Sequence, residues 1–181
     1  MCAVGSEECI FPFHPACSFM LYPLRFQPLF RRYLWGGRRL ESVLSKQLGS
    51  GDDYAESWEI VDRGMDQSTV AVGPLAGRTL TQLLAEYRSD MLGRHSSLGR
   101  FPLLLKFLDC HHDLSVQVHP NDAQAALLDP PDLGKSEAWV VLESDAGSKI
   151  YAGLKPDVSC QHRLEQAQVR QTARTRRGVD L

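Results

Sequence analysis

Three residues in two segments of the chain have the types and spacing that suit a metal ion. Gln117 and His119 are two positions apart, and Glu137 follows in a later segment. If 114–119 is a strand, Gln117 and His119 project from the same face, because side chains alternate along a strand. A neighbouring strand over 137–143 would bring the Glu137 carboxylate beside them. One imidazole nitrogen and two oxygen donors could then hold Zn²⁺, Mn²⁺, Co²⁺ or Fe²⁺, and the spacing does not choose among these ions.

The same alternation is also typical of an antiparallel strand with one face in solvent. Periodicity alone therefore leaves both interpretations open. A Gln-x-His pair is by itself a weak signal. A third interpretation is a β-domain with no site, in which Gln117, His119 and Glu137 are ordinary surface residues.

The elements predicted around these residues are mostly short strands with a few helices. The strands share aromatic and β-branched content and are predicted at 57–61, 101–108, 139–142 and 149–152. The helices share an apolar stripe or a capping residue and are predicted at 38–48, from Thr79 or Thr81 to just before Gly93, and from Asn121 to Leu128. Many short strands separated by turn signals indicate a mainly β fold, either a barrel or a sandwich, with helical additions.

Composition limits the class of protein. The chain has 181 residues and 43% hydrophobic content, enough for one core with a small appendage. A net charge of −2 argues against nucleic acid or an acidic membrane as the main partner. No apolar run approaches 18 residues, so no spanning helix is predicted. Five cysteines without a Cys-x-x-Cys pair predict free thiols and a cytoplasmic location.

Five segments in unbroken order resemble the type I mannose-6-phosphate isomerases, which are zinc enzymes with a cupin barrel. The segments are 33–37 (Tyr-Leu-Trp-Gly-Gly), 55–60 (Ala-Glu-Ser-Trp-Glu-Ile), 114–120 (Leu-Ser-Val-Gln-Val-His-Pro), 134–137 (Gly-Lys-Ser-Glu) and 150–155 (Ile-Tyr-Ala-Gly-Leu-Lys). The resemblance implies a cupin-type jelly roll and the interconversion of mannose 6-phosphate and fructose 6-phosphate. That reaction passes through an enediol, and a divalent ion lowers its barrier.

The resemblance also implies roles for individual residues. Zn²⁺, one ion per chain, would be held by Gln117, His119 and Glu137. Four residues would line the phosphosugar pocket, namely the catalytic Lys135 with Ser115, Lys106 and Glu56. The two lysines would offer charge to sugar oxygens or phosphate, and which of them does which stays open.

Lys106 lies inside an apolar run, and burying an unpaired ammonium is costly. It must therefore reach the surface or face a polar cavity, and the resemblance favours the cavity. Three other histidines, His95, His111 and His112, are predicted to be solvated and are left out of the metal site. Glu59 is left out of the substrate pocket.

The resemblance covers residues 20–156. Residues 1–19 are predicted to be a poorly ordered N-terminal extension. Residues 157–181 form an Arg- and Gln-rich tail in place of the segment that supplies the family's fourth zinc ligand and a catalytic arginine. His162 is not accepted as that ligand. The barrel is therefore predicted to be incomplete and the chain to have little isomerase activity, and a non-catalytic cupin that binds metal or sugar is the alternative. The oligomeric state is not predicted.

Overall fold

The computed structural model describes residues 21–115, 117, 119–152 and 177–180. Contacts divide the chain into two compact units, residues 1–112 and 113–181. The predictions for residues 1–19, for most of the tail and for His162 lie outside the described residues. In the described part of the chain, no helix has the length and apolar character needed to cross a bilayer.

The first unit contains most of the regular structure. Its strands are β1 (Phe26–Gln27), β2 (Leu29–Gly37), β3 (Tyr54–Ile60), β4 (Asp62–Arg63), β5 (Asp66–Gln67), β6 (Thr69–Val70) and β7 (Leu105–Leu108). Its helices are α1 (Arg39–Ser42), α2 (Leu80–Leu92) and a 3₁₀ turn at Gly93–His95. β1 pairs with β6 and β4 with β5, each as a short two-stranded ladder.

The largest sheet has β3 at its centre, with antiparallel β2 on one side and β7 on the other. Trp58 of β3 is opposite both Leu29 of β2 and Lys106 of β7. The predicted strand at 57–61 is confirmed but begins earlier, at Tyr54. The apolar run 101–108 forms a strand only in its last four residues.

The turn between β2 and α1 depends on a close approach of two backbones. A Cβ atom added to Gly36 would lie 2.5 Å from the backbone nitrogen of Ala55 and 2.7 Å from its Cα atom. The buried Asp109 carboxylate accepts a hydrogen bond of 2.6 Å from the backbone of Arg39 at the start of α1. The helix predicted over 38–48 ends at Ser42. The backbone of Ser45 has a φ of +54°, a left-handed conformation that a right-handed helix does not contain.

Helix α2 agrees with the prediction from the sequence. Thr79 is its N-cap, and Thr79 and Gln82 form a reciprocal capping box. Gly93 follows the last helical residue with a φ of +52°. The apolar stripe packs as a core of buried leucines with partly buried neighbours, comprising Leu80, Leu84, Leu92, Phe26, Ile60, Met91 and Phe101.

The second unit has helix α3 (Asp122–Ala125) and the pair β8 (Lys149–Ala152) and β9 (Arg177–Asp180). Asn121 caps α3, as predicted, but the helix ends at Ala125 rather than at Leu128. A turn precedes β8, with a hydrogen bond of 3.0 Å from the Ser148 amide to the Asp145 carbonyl.

The strands predicted at 114–119 and 137–143 are wrong in this structure. None of the described residues in either segment belongs to a strand. The four β-prone side chains from Trp139 to Leu142 are 46%, 85%, 46% and 61% exposed. A strand is stabilised by a hydrogen-bonded neighbouring strand and by a face that packs against other side chains. The described residues supply neither of these to 139–142.

Candidate functional site

Two of the predicted substrate-binding residues meet on the central sheet of the first unit. Because Lys106 lies opposite Trp58, it is a diagonal neighbour of Glu56 on the same face. Lys106 Nζ lies 2.9 Å from Glu56 Oε1, and the two side chains are 20% and 9% exposed. The ammonium is therefore largely buried and paired, which offsets the cost that the sequence indicated. That Lys106 faces a polar cavity stays a prediction.

Trp58 belongs to the same arrangement, and the sequence analysis gave it no role. Its indole Nε1 donates a hydrogen bond to Glu56 Oε2, so both carboxylate oxygens of Glu56 have a partner. The Arg31 guanidinium lies 4.4 Å from the centre of the Trp58 ring and forms an ion pair with Asp66. Glu56 directly precedes the predicted strand 57–61, and extending that strand by one residue would have placed Glu56 and Trp58 on the same face.

Glu59 has partners of its own on the central sheet. Lys46 Nζ lies 2.8 Å from both of its carboxylate oxygens, and Ser57 Oγ donates a hydrogen bond of 2.5 Å to Oε1. The Lys46 ammonium also lies 5.3 Å from the centre of the Phe107 ring. Both carboxylate oxygens of Glu59 therefore have partners, and its exclusion from the substrate pocket stays a prediction.

Three predicted site residues of the second unit come together around one carboxylate. Glu137 Oε2 lies 3.0 Å from His119 Nε2, and Glu137 Oε1 lies 2.9 Å from Lys135 Nζ. The side chains of His119 and Glu137 are 24% and 25% exposed. Partial burial strengthens these charged contacts relative to a fully hydrated pair.

The contacts of Glu137 keep it ionised. Burial is the largest influence on its pKa and raises it, but hydrogen bonds from Lys135 and His119 and the charge of Lys135 act in the opposite direction. The net pKa is lowered from 4.5 to about 2. A carboxylate that is ionised at neutral pH is the form that binds a cation.

Gln117 and Ser115 lie together at the start of the same unit. Gln117 Nε2 is 3.2 Å from Ser115 Oγ, and both residues are exposed. The structure thus joins a predicted metal ligand and a predicted substrate-binding residue, although none of the described residues there belongs to a strand. The convergence of Gln117 with His119 and Glu137 on one ion stays a prediction.

The contact between His119 and Glu137 can be compared with the spacing of two ligands on one metal ion. Two donors that each lie about 2.0–2.2 Å from a tetrahedral zinc ion are roughly 3.3 Å apart. The observed separation of 3.0 Å is a hydrogen-bonding distance and is shorter than that value, so the two side chains would have to move slightly apart to share an ion. Among the described residues, no three His, Cys, Asp or Glu side chains form a metal-binding group. The proposed ligand set contains only two such residues, since its third member is Gln117.

Three histidines of the first unit, His95, His111 and His112, are exposed, as predicted. The rings of His111 and His112 contact each other with centroids 4.7 Å apart. His95 accepts a hydrogen bond of 3.2 Å from Arg94 Nε at the surface. Each of these rings is hydrated, which agrees with leaving them out of the metal site.

Comparison with known proteins defines the family. Residues 23–161 match the family described as phosphomannose isomerase type I, catalytic domain. A probable mannose-6-phosphate isomerase, GmuF of Bacillus subtilis, is 37% identical over 134 residues, which are 74% of this chain and 42% of that protein. The mannose-6-phosphate isomerase of Streptococcus mutans is 38% identical over 134 residues, which are 74% of this chain and 41% of that protein.

A solved structure supports the same assignment. The mannose 6-phosphate isomerase of Bacillus subtilis superposes with a TM-score of 0.75 at 30% identity, over 88% of this chain and 49% of that one. The chain therefore belongs to the type I phosphomannose isomerase family. The predicted fold class, mainly β with helical additions on the cupin pattern, is confirmed. The chain spans about two fifths of the length of the curated relatives described above.

Proposed function

We propose that the segment of this chain that matches the family belongs to an aldose–ketose isomerase that acts on mannose 6-phosphate and fructose 6-phosphate, and the low activity expected of the 181-residue chain by itself stays a prediction. The observation that carries the proposal is the contact of Glu137 with both His119 and Lys135 inside the segment that matches the family. A cation ligand pair beside an ammonium that keeps further N–H donors suits a substrate that has both hydroxyl oxygens and a phosphate. We also propose a cytoplasmic location. It is supported by the odd number of cysteines and by the lack of a Cys-x-x-Cys pair in the sequence.

The proposed metal is zinc, held by Gln117, His119 and Glu137. When bound, such an ion would supply positive charge that stabilises the negative charge developing on a sugar oxygen as a proton moves between the two reacting carbons. His119 offers Nε2 and Glu137 offers Oε2, the two atoms that are 3.0 Å apart. Glu137 is ionised without any further change, because its pKa is about 2.

The proposed role of Lys135 is to bind and orient the phosphosugar. Its ammonium lies 2.9 Å from Glu137 Oε1 and is 37% exposed, so that part of its donor capacity faces solvent. An ammonium has three N–H donors, and one contact with Glu137 leaves others for a substrate oxygen. Ser115, Lys106 and Glu56 are proposed as further substrate-binding residues, and Trp58 holds Glu56 in its present orientation.

The test compares zinc content with substrate binding and turnover. His119→Ala is expected to lose bound zinc, measured by mass spectrometry of the metal after dialysis. Lys135→Ala is expected to keep zinc but to weaken mannose 6-phosphate binding about tenfold, as loss of a charge-assisted hydrogen bond implies. Lys149→Ala is the matched control, because Lys149 is an exposed lysine of the same unit.

The outcomes separate the candidate functions. Unchanged zinc content in His119→Ala would contradict the proposed ligand set. Equal substrate affinity in Lys135→Ala and Lys149→Ala would remove Lys135 from the binding site. Zinc-dependent conversion of mannose 6-phosphate in a coupled assay supports the isomerase, whereas binding of zinc and sugar without conversion would favour a non-catalytic cupin.

A further inference from the structure

The segment that carries Lys135 and Glu137 is attached to the segment that carries His119, although the two form no strand pair. The Lys135 backbone amide donates a hydrogen bond of 3.1 Å to the Pro120 carbonyl. The Gly134 amide donates a hydrogen bond of 2.9 Å to Asp122 Oδ1. These two bonds lie within three residues before Glu137 on one segment and within three residues after His119 on the other.

Gly134 makes this attachment possible because it has no side chain. A Cβ atom added there would lie 2.5 Å from the backbone nitrogen of Asp122 and 2.6 Å from the carbonyl carbon of Asn121. Both are backbone atoms, which cannot rotate away as the end of a flexible side chain can. Any larger residue must therefore push the two segments apart.

The other side of the contact is held firmly by helix α3. The Asn121 side chain accepts a hydrogen bond from the Gln124 amide, and the Gln124 side chain accepts one from the Asn121 amide. The Ala125 amide bonds to the Asn121 carbonyl at 2.8 Å, and Ala125 is buried. The backbone against which Gly134 packs is thus fixed independently of Gly134.

We propose that Gly134 and Asp122 are positioning residues of the metal site, which set the separation between His119 and Glu137 from the backbone rather than from a sheet. The inference rests on the proposed function, since it assigns Gly134 and Asp122 to the ligand pair of that site. Residues behind metal ligands typically change metal affinity about 10- to 100-fold when they are altered. Gly134→Ala is expected to weaken zinc binding by that factor.

Three variants and a control test the proposal in the full 181-residue chain. Gly134→Ala introduces the backbone clash. Asp122→Ala removes the acceptor of the Gly134 amide, and Asp122→Asn keeps an oxygen in its place. Gly99→Ala is the matched control, because a Cβ atom there meets nothing within 4 Å. Zinc affinity is measured by competition with a chelator of known affinity, and thermal unfolding shows that each variant is folded.

Amide hydrogen exchange provides a readout that needs no metal. In the metal-free parent, the amides of Gly134 and Lys135 are expected to be protected, because both are hydrogen-bonded. Protection should fall at least about tenfold in Gly134→Ala and in Asp122→Ala. It should stay close to that of the parent in Asp122→Asn and in Gly99→Ala.

The proposal predicts that zinc affinity and amide protection fall together in Gly134→Ala and Asp122→Ala, and that Asp122→Asn restores both. If the parent binds zinc and these two variants bind it equally well, the positioning role is overturned while the proposed function stands. A parent that binds no zinc overturns the proposed function and the positioning role with it. If Gly134→Ala does not fold, the two Asp122 variants decide, because neither adds volume.

Discussion

Each unit of the chain holds a glutamate and a lysine at 2.9 Å, but by different means. In the first unit, Glu56 and Lys106 stand on neighbouring strands, and the register of the sheet brings them together. In the second unit, Lys135 and Glu137 stand two residues apart in a segment without a strand. The first pair is largely buried, with exposed fractions of 9% and 20%, whereas the second is 25% and 37% exposed.

The difference shows how the two pairs depend on the rest of the molecule. A sheet register is set by many ladder bonds, so no single side chain decides the position of Glu56. Glu137 depends on two hydrogen bonds and on the absence of a side chain at Gly134. We therefore expect mutations to change stability mainly in the first unit and metal binding mainly in the second.

The largest expected effect contrasts two leucines. Leu83 is completely buried in α2, whereas Leu142 in the second unit is 61% exposed. Leu83→Ala should lower the free energy of unfolding by about 3 kcal/mol, from lost burial and the cavity left behind. Leu142→Ala should change it by less than about 0.5 kcal/mol. Urea unfolding measures both, and similar losses would show that the second unit has a packed core around Leu142.

A smaller effect is expected from a glycine of the first unit. Gly36→Ala places a methyl group against the backbone of Ala55 and should cost about 2 kcal/mol in unfolding free energy. Gly99→Ala serves as the control and should be neutral, because the space around it is open. Equal urea midpoints for the two variants would mean that β2 and β3 can separate at Gly36 without loss.

Replacing the lysine of each ion pair measures how much unfolding free energy is lost when the glutamate of that pair has no lysine partner. Lys106→Met leaves the buried Glu56 with Trp58 as its remaining partner and should cost about 1–3 kcal/mol. Lys135→Met should cost less than about 1 kcal/mol, because Glu137 keeps His119 and is reached by water. Unfolding free energies at neutral pH give the comparison. A larger loss for Lys135→Met would reverse the order of burial inferred for the two pairs.

The smallest expected effect depends on pH and concerns Asp62 in β4, which is 7% exposed. Burial is the largest influence on its pKa and raises it, but hydrogen bonds from the Phe101 amide, Gln67 and Thr81 bring the net pKa below 3.8. A lowered folded-state pKa contributes stability above 3.8 that is lost as the pH falls through the folded-state value.

Asp62→Asn should therefore lower stability at neutral pH by about 1 kcal/mol and flatten the acid limb of the stability curve. Urea unfolding at neutral pH and at several values below 3.8 measures both changes. A variant whose acid limb is as steep as that of the parent would show that Asp62 does not contribute to it.

Local signals in the sequence predicted the elements that depend on local interactions. Helix α2 was predicted with its cap because Thr79, its apolar stripe and Gly93 act within a few residues of one another. The strands predicted at 114–119 and 137–143 were wrong because β-propensity in a run such as 139–142 reflects packing against neighbours that the sequence does not identify.

The contacts of the candidate site also divide into those that local sequence signals indicate and those that depend on tertiary structure. The sequence indicated that Lys106 needs a polar environment, but it did not identify Glu56 as its ion-pair partner, because that contact depends on the strand register. The role inferred for Gly134 was not predictable, since a glycine in a sequence does not reveal which backbone approaches it. The pairing of His119 with Glu137 was predicted, although the strands expected to produce it are not observed.

The placement of the three tryptophans gives each unit its own optical signal. Trp58 lies beneath the Arg31 guanidinium and donates to a buried carboxylate, whereas Trp139 is 46% exposed in the second unit. An indole in contact with water emits at longer wavelength than one in a protein interior, and nearby charges shift the emission further. With Trp35 and Trp58 replaced by Phe, the fluorescence of Trp139 would report only the segment proposed to bind the metal, since Trp139 lies two residues from Glu137.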